Sequence, residues 1–166
     1  MPTGTELILW MIMILSSAFY ALSAPFLPVM FEEKAISERY VGIVFASFSV
    51  ALILFSPQVG AMIEKCGQPN LLGFGLFLMG VSTFAFGYVK QIEDDNHVIA
   101  LSLALRFVQG IASAILNTSS YSFASLIYPD KEKLESAISM LEATSGIGLI
   151  LGPIIGSSIY TQVGFK

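Results

Sequence analysis

The amino-acid sequence predicts an all-α, polytopic membrane protein with five transmembrane helices. Three observations carry that expectation. Hydrophobic residues fill 55% of the 166 positions and charged ones only 12%, against about 25% charged in an ordinary globular domain. The charges gather in short segments, residues 32–39, 64–65, 90–95 and 130–135. Between them run five apolar stretches, each near or beyond the roughly 20 helical residues that cross a hydrocarbon core.

The first span, residues 7–31, is too long for a signal-peptide core, has no basic segment before it and no small-residue cleavage site after "APFLPVMF". It is expected to stay as a helix, with Trp10 near one interface. The second and third spans, 41–63 and 71–89, are joined by "GAMIEKCGQPN", which reads as a short loop. The fourth, 98–127, carries Arg106 inside an apolar run, and the fifth, 134–160, carries Glu142.

The fifth span also contains "GIGLILGPIIGSS". In a soluble helix each interior glycine costs about 1 kcal/mol relative to alanine and a proline about 3, so the pattern suits a membrane. Gly148, Gly152 and Gly156 recur every four residues and leave a groove in which a neighbouring helix can approach closely. Pro153 removes the bond its N–H would make to the carbonyl of Leu149, so the helix can bend there while neighbours satisfy the freed group.

Other chemistries find no foothold. The single cysteine, Cys66, permits no internal disulfide, and the single histidine, His97, builds neither a zinc site nor a triad. "GIGLILG" has the wrong spacing for a dinucleotide loop, and Asn117-Thr118-Ser119 has the spacing of a glycosylation acceptor inside an apolar helix. A net charge of −4 without a basic tract argues against nucleic acid. The expectation is no enzyme, no cofactor and no metal. Loop lysines and arginines are divided between the two sides, Lys166 among them, and leave the orientation open.

Charges inside spans mark function, because each costs about 2.5 to 3.5 kcal/mol at the bilayer centre and so faces protein or an aqueous cavity. With the ends of the fourth and fifth helices set level and a rise of about 1.5 Å per residue, Arg106 lies roughly 31 Å and Glu142 roughly 12 Å from that level. They are too far apart to pair. Asn117, at roughly 15 Å, shares the Glu142 layer, with Ser120 one turn nearer the end.

Three motifs then point to a family. "GPIIG" in the glycine-rich fifth span resembles the antiporter signature of the Major Facilitator Superfamily. "ALRFVQGIASA" resembles its Arg-x-x-Gln-Gly pattern, carried by Arg106, Gln109 and Gly110, and "GAMIEKCGQPN" resembles its cytoplasmic-loop motif through Gly60, Glu64, Lys65 and Gly67. Gln68 and Pro69 stand where that motif prefers arginine and lysine. Within the superfamily, "YALSAPFLP", "GIVFASFS", "LIYPDK" and "LEATSGIGLILGPIIGSSIY" are similar to the vesicular amine and polyamine transporters. Ser16 occupies the position of the acidic residue that monoamine carriers use.

The resemblance implies most of an N-terminal six-helix bundle, with a second half or partner helices outside residues 1–166, and a fragment of a longer carrier is expected. It implies proton-coupled exchange of a small organic cation, such as a polyamine or other amine, across a vesicle or other organelle membrane. Arg106 and Glu142 would serve proton coupling, Glu142, Tyr20 and Asn117 would contact substrate, and Gly60, Glu64, Lys65 and Gly67 would form the gating loop. The competing expectation is a non-transporting scaffold or accessory subunit that uses the glycine grooves to bind other helices.

Overall fold

The computed structural model describes residues 4–22 and 24–163, with side chains as far as Ser158. Among them are six α-helices: α1 (Gly4–Leu22), α2 (Phe26–Glu33), α3 (Arg39–Cys66), α4 (Gln68–Phe86), α5 (Asp95–Ile127) and α6 (Lys131–Val163). A single 3₁₀ turn, Val89–Gln91, follows α4. They make five segments long and apolar enough to cross a bilayer, α1 and α2 together supplying the first. Lys166 lies outside the described residues.

The first span is therefore not one continuous helix. Pro25 has no N–H to give and biases Ala24 away from the helical region, so α1 stops before it and α2 starts after it. α3, α5 and α6 run beyond their apolar stretches, because the flanking polar residues continue the helix rather than ending it, whereas α4 begins before residue 71 but ends at Phe86. The expected loop between the second and third spans shrinks to one residue. Glu64 to Cys66 are the last turn of α3 and Gln68 to Asn70 the first of α4. Gly67 turns the corner at φ 76° and ψ 149°, a conformation that glycine adopts without the Cβ penalty. Its N–H bonds to the carbonyl of Ile63 at 2.9 Å, and Pro69 sits in the first turn of α4, where a missing N–H does no harm.

Two more helix ends are built from local chemistry. After α2 the chain enters the left-handed region at Ala35 (φ 55°); Ile36 N–H bonds to Phe31 O at 2.8 Å and Ala35 N–H to Glu32 O at 3.0 Å. That is the Schellman pattern, and buried Ile36 joins Phe31 in one apolar cluster. The Asp94 carboxylate caps α5 by accepting from Asn96 N–H at 2.8 Å and faces His97 Nδ1 at 2.8 Å. The His97 hydrogen bond, and then that from Asn96, hold its carboxyl below the ordinary value.

Packing is uneven. The extensive contacts are α1 with α6, α3 with α5, and α4 with α5. α5 is the central element, its buried residues running from Val98 to Ala124. One apolar cluster joins Met13, Met79, Leu116 and Leu141 from four helices, and a second gathers Leu27, Phe31, Val44, Phe86 and Val98 around α2. Phe77, Phe84, Ile53 and Ile150 point outward, as the lipid-facing side chains of a multi-pass membrane protein do. At one end the Tyr128 hydroxyl donates to Glu6, tying α1 to the α5–α6 corner. At the other, Lys90 pairs with Glu33 at 2.9 Å and Lys34 donates to Ile92 O at 2.7 Å.

Candidate functional site

Arg106 is wholly enclosed, with 0% of its surface exposed. Its guanidinium carbon lies 4.6 Å from the ring centre of Phe45, 5.3 Å from Tyr20 and 5.6 Å from Phe86, a box that holds a cation through the negative faces of three rings. Nη1 donates to the backbone carbonyl of Tyr20 and to Gln109 Oε1, both at 3.2 Å, and Gln109 Nε2 passes the chain on to Thr83 Oγ1 at 3.0 Å. Among the described residues Nε and Nη2 have no partner, nor does the buried hydroxyl of Ser102 one turn before. Among the described residues no carboxylate pairs with this charge.

The same motif's glycine has a separate task. A Cβ on Gly110 would collide with the carbonyl of Phe48 and lie 2.8 Å from the Cβ of Ala51. α5 thus rests directly on the backbone of α3. Tyr20, half-buried, stacks on Phe48 with ring centres 4.4 Å apart and belongs to the wall around Arg106.

Glu142 is exposed on α6, and the Tyr121 hydroxyl of α5 donates to its Oε1. The layer expected from helical rise is therefore occupied differently. Ser120 turns into the bundle and is buried without a partner among the described residues, while Asn117 Nδ2 donates to Ser113 Oγ at 3.4 Å. Rise alone finds the depth, but each residue also advances about 100° around the helix, and that rotation brings Tyr121 to the carboxylate instead of Ser120. Tyr121 carries no charge and sits in a hydroxyl-rich stretch, Thr118 to Ser122, that does not single it out, so only the three-dimensional pairing reveals it. Arg106 and Glu142 occupy separate sites.

At the α3–α4 corner Glu64 and Lys65 are exposed and make no ion pair among the described residues. Gly60 is open, with nothing within 4 Å of where a Cβ would stand. Gln68 Nε2 reaches Ser122 Oγ of α5 at 3.4 Å. The free thiol of Cys66 is exposed.

Gly148, Gly152 and Gly156 of α6 face α1, whereas Gly146 does not. A Cβ on Gly148 would strike the carbonyl of Ile14, one on Gly152 would lie 2.6 Å from the carbonyl of Ala18, and one on Gly156 2.9 Å from that of Leu22. α6 continues as a helix through Pro153. Beside this seam Ser17 and Ser145 share a hydrogen bond of 2.6 Å.

A family profile described as Major Facilitator Superfamily matches residues 9–166. The chain belongs to the Major Facilitator Superfamily. It is a transport-type protein of that superfamily rather than an enzyme, and its five spans form a multi-pass bundle. It is 29% identical to the human MFS-type transporter SLC18B1 over 147 residues, which is 89% of this chain and 32% of that protein. It is 27% identical to the bovine synaptic vesicular amine transporter over 124 residues, 75% of this chain and 23% of that one. Multidrug resistance protein 1 of Bacillus subtilis is likewise 27% identical, over 81% of this chain and 33% of its own. The chain spans about a third or less of the length of these curated relatives.

Proposed function

We propose that this superfamily member is part of a proton-coupled exchanger of small organic cations, with polyamines or other amines as cargo and a vesicle or other organelle membrane as its place. The observation that carries the reading is Glu142, an exposed carboxylate within a membrane-crossing helix that pairs with a neutral hydroxyl and not with a cation. Such a group is free to take either a proton or an ammonium, and competition between the two is what couples their movements. Likeness to a vesicular amine transporter supports the same class of cargo. Tyr20 and Asn117 remain the further candidates for substrate contact. Gly60, Glu64, Lys65 and Gly67 would act as the gate at the α3–α4 corner, and a second half would complete the cleft, since superfamily carriers bind substrate between their repeats near the midplane.

The test is amine affinity against pH for the full-length protein and its Glu142→Gln variant, at fixed ionic strength so that loop charges stay equally screened. Glutamine keeps shape and most hydrogen bonding but cannot ionise. Expression and melting should change little, amine binding should weaken, and its pH dependence should flatten because the variant cannot ionise. Unchanged affinity together with an unchanged pH profile would remove Glu142 from the site.

A further inference from the structure

We propose that Tyr121 is a specificity-determining residue of the Glu142 site, selecting cations that carry N–H donors over cations of equal charge that carry none. This rests on the reading of Glu142 as the cation site. A phenol has one hydrogen to donate and two lone pairs to accept with. That hydrogen is committed to Glu142 Oε1, so the phenolic oxygen is left as an acceptor beside the carboxylate. The pair therefore presents acceptors on both residues and no spare donor. No lysine or arginine among the described residues pairs with Glu142 to fill them.

The surface beyond continues the pattern. Ser113, Asn117 and Tyr121 are four residues apart and lie along one stripe of α5. Asn117 spends an amide hydrogen on Ser113 Oγ at 3.4 Å, which leaves its carbonyl oxygen as an acceptor one turn from the phenol. A protonated primary or secondary amine meets these oxygens with two or three N–H groups. A quaternary ammonium brings the same charge, gains the long-range attraction, and leaves every acceptor unfilled. Sites built around hydrogen bonds reject ligands that lack the matching group far more strongly than sites built on apolar contact.

The experiment uses the full-length protein in proteoliposomes, with labelled spermidine displaced by unlabelled spermidine or by its permethylated, quaternised analogue. The wild type should prefer spermidine. Tyr121→Phe keeps the ring and loses the oxygen, so it should weaken spermidine by about tenfold and leave the analogue within about twofold, the loss expected for hydrogen bonding to charge. Glu142→Gln should weaken both. If the phenylalanine variant does not accumulate, Tyr121→Trp, a donor without an acceptor, should show the same loss of preference. A wild type without preference, or a Tyr121 variant that keeps it while Glu142→Gln loses both ligands, overturns the role of Tyr121 and leaves Glu142 standing. Full binding of both ligands by Glu142→Gln overturns the Glu142 reading and this proposal with it.

Discussion

Arg106 was conspicuous in the sequence as a charge in an apolar run, but its surroundings were not. Phe45, Phe86 and Tyr20 come from three different helices, and aromatic residues in apolar segments carry no mark of which cation they face. Because the described residues already enclose the guanidinium completely, any influence on a cargo must pass through what it holds: the Tyr20 carbonyl and the Gln109–Thr83 link. Lysine carries the same charge but has no planar fork to bond Tyr20 and Gln109 while lying against the rings. For Arg106→Lys in the full-length protein, proton-gradient-driven uptake should fall by about tenfold or more, the loss of a charge-assisted hydrogen bond, while detergent melting falls only slightly. Wild-type uptake would leave Arg106 a structural residue. Tyr121 was illegible for a related reason: a neutral aromatic gains its meaning only from the carboxylate of another helix.

At the scale of elements, spacing was informative wherever a helix surface repeats. Glycines four apart on α6 predicted a close contact, and the seam with α1 has backbone at each of the three positions. The identity of the partner was not written there, since Ala18 and Ala21 are ordinary residues of an apolar helix. Charge was a poorer guide to helix ends: Glu64 and Lys65 were expected in the loop, while α3 runs through them to Cys66. Gly152→Leu puts four carbons where the Ala18 carbonyl and Ala21 Cβ stand, at 2.6 and 2.7 Å from a first Cβ, so the helices must separate. Overpacking of this kind typically costs about 1–3 kcal/mol. Ile150, 67% exposed on the outer face, should tolerate leucine with almost no change. Detergent melting of the two variants decides, and equal melting temperatures would remove the close-packing account of the seam.

In the whole molecule the number of crossings was legible from apolar length, because a bilayer sets one length for every span. The pairing of spans was not, because lipid-like side chains pack on any neighbour and the contacts that choose between neighbours are small polar ones. The bundle divides into a pair, α1 with α6, and a group of α3 and α4 on α5, with lighter contacts of α1 to α4 and α5 between them. The pair joins the two ends of the described chain, and Ser17 and Ser145, 128 positions apart, meet at 2.6 Å between hydroxyl oxygens. Hydroxyl oxygens in such contact keep the two Cβ atoms within about 5 Å of each other, near the roughly 3.5–4.5 Å that a disulfide spans, so small adjustments suffice to link the positions covalently. In a Cys66→Ser background, which removes the one thiol of residues 1–166, the double variant Ser17→Cys with Ser145→Cys should form an intramolecular disulfide in membranes under mild oxidant. Proteolysis between the two positions followed by reducing and non-reducing electrophoresis reads the result. Ser16, buried on α1 one residue earlier, projects about 100° away around the helix, and the pair Ser16→Cys with Ser145→Cys should link much more slowly. Equal linkage in both pairs would mean that α1 turns freely against α6, and a seam made of glycine against backbone carbonyl does not permit that rotation.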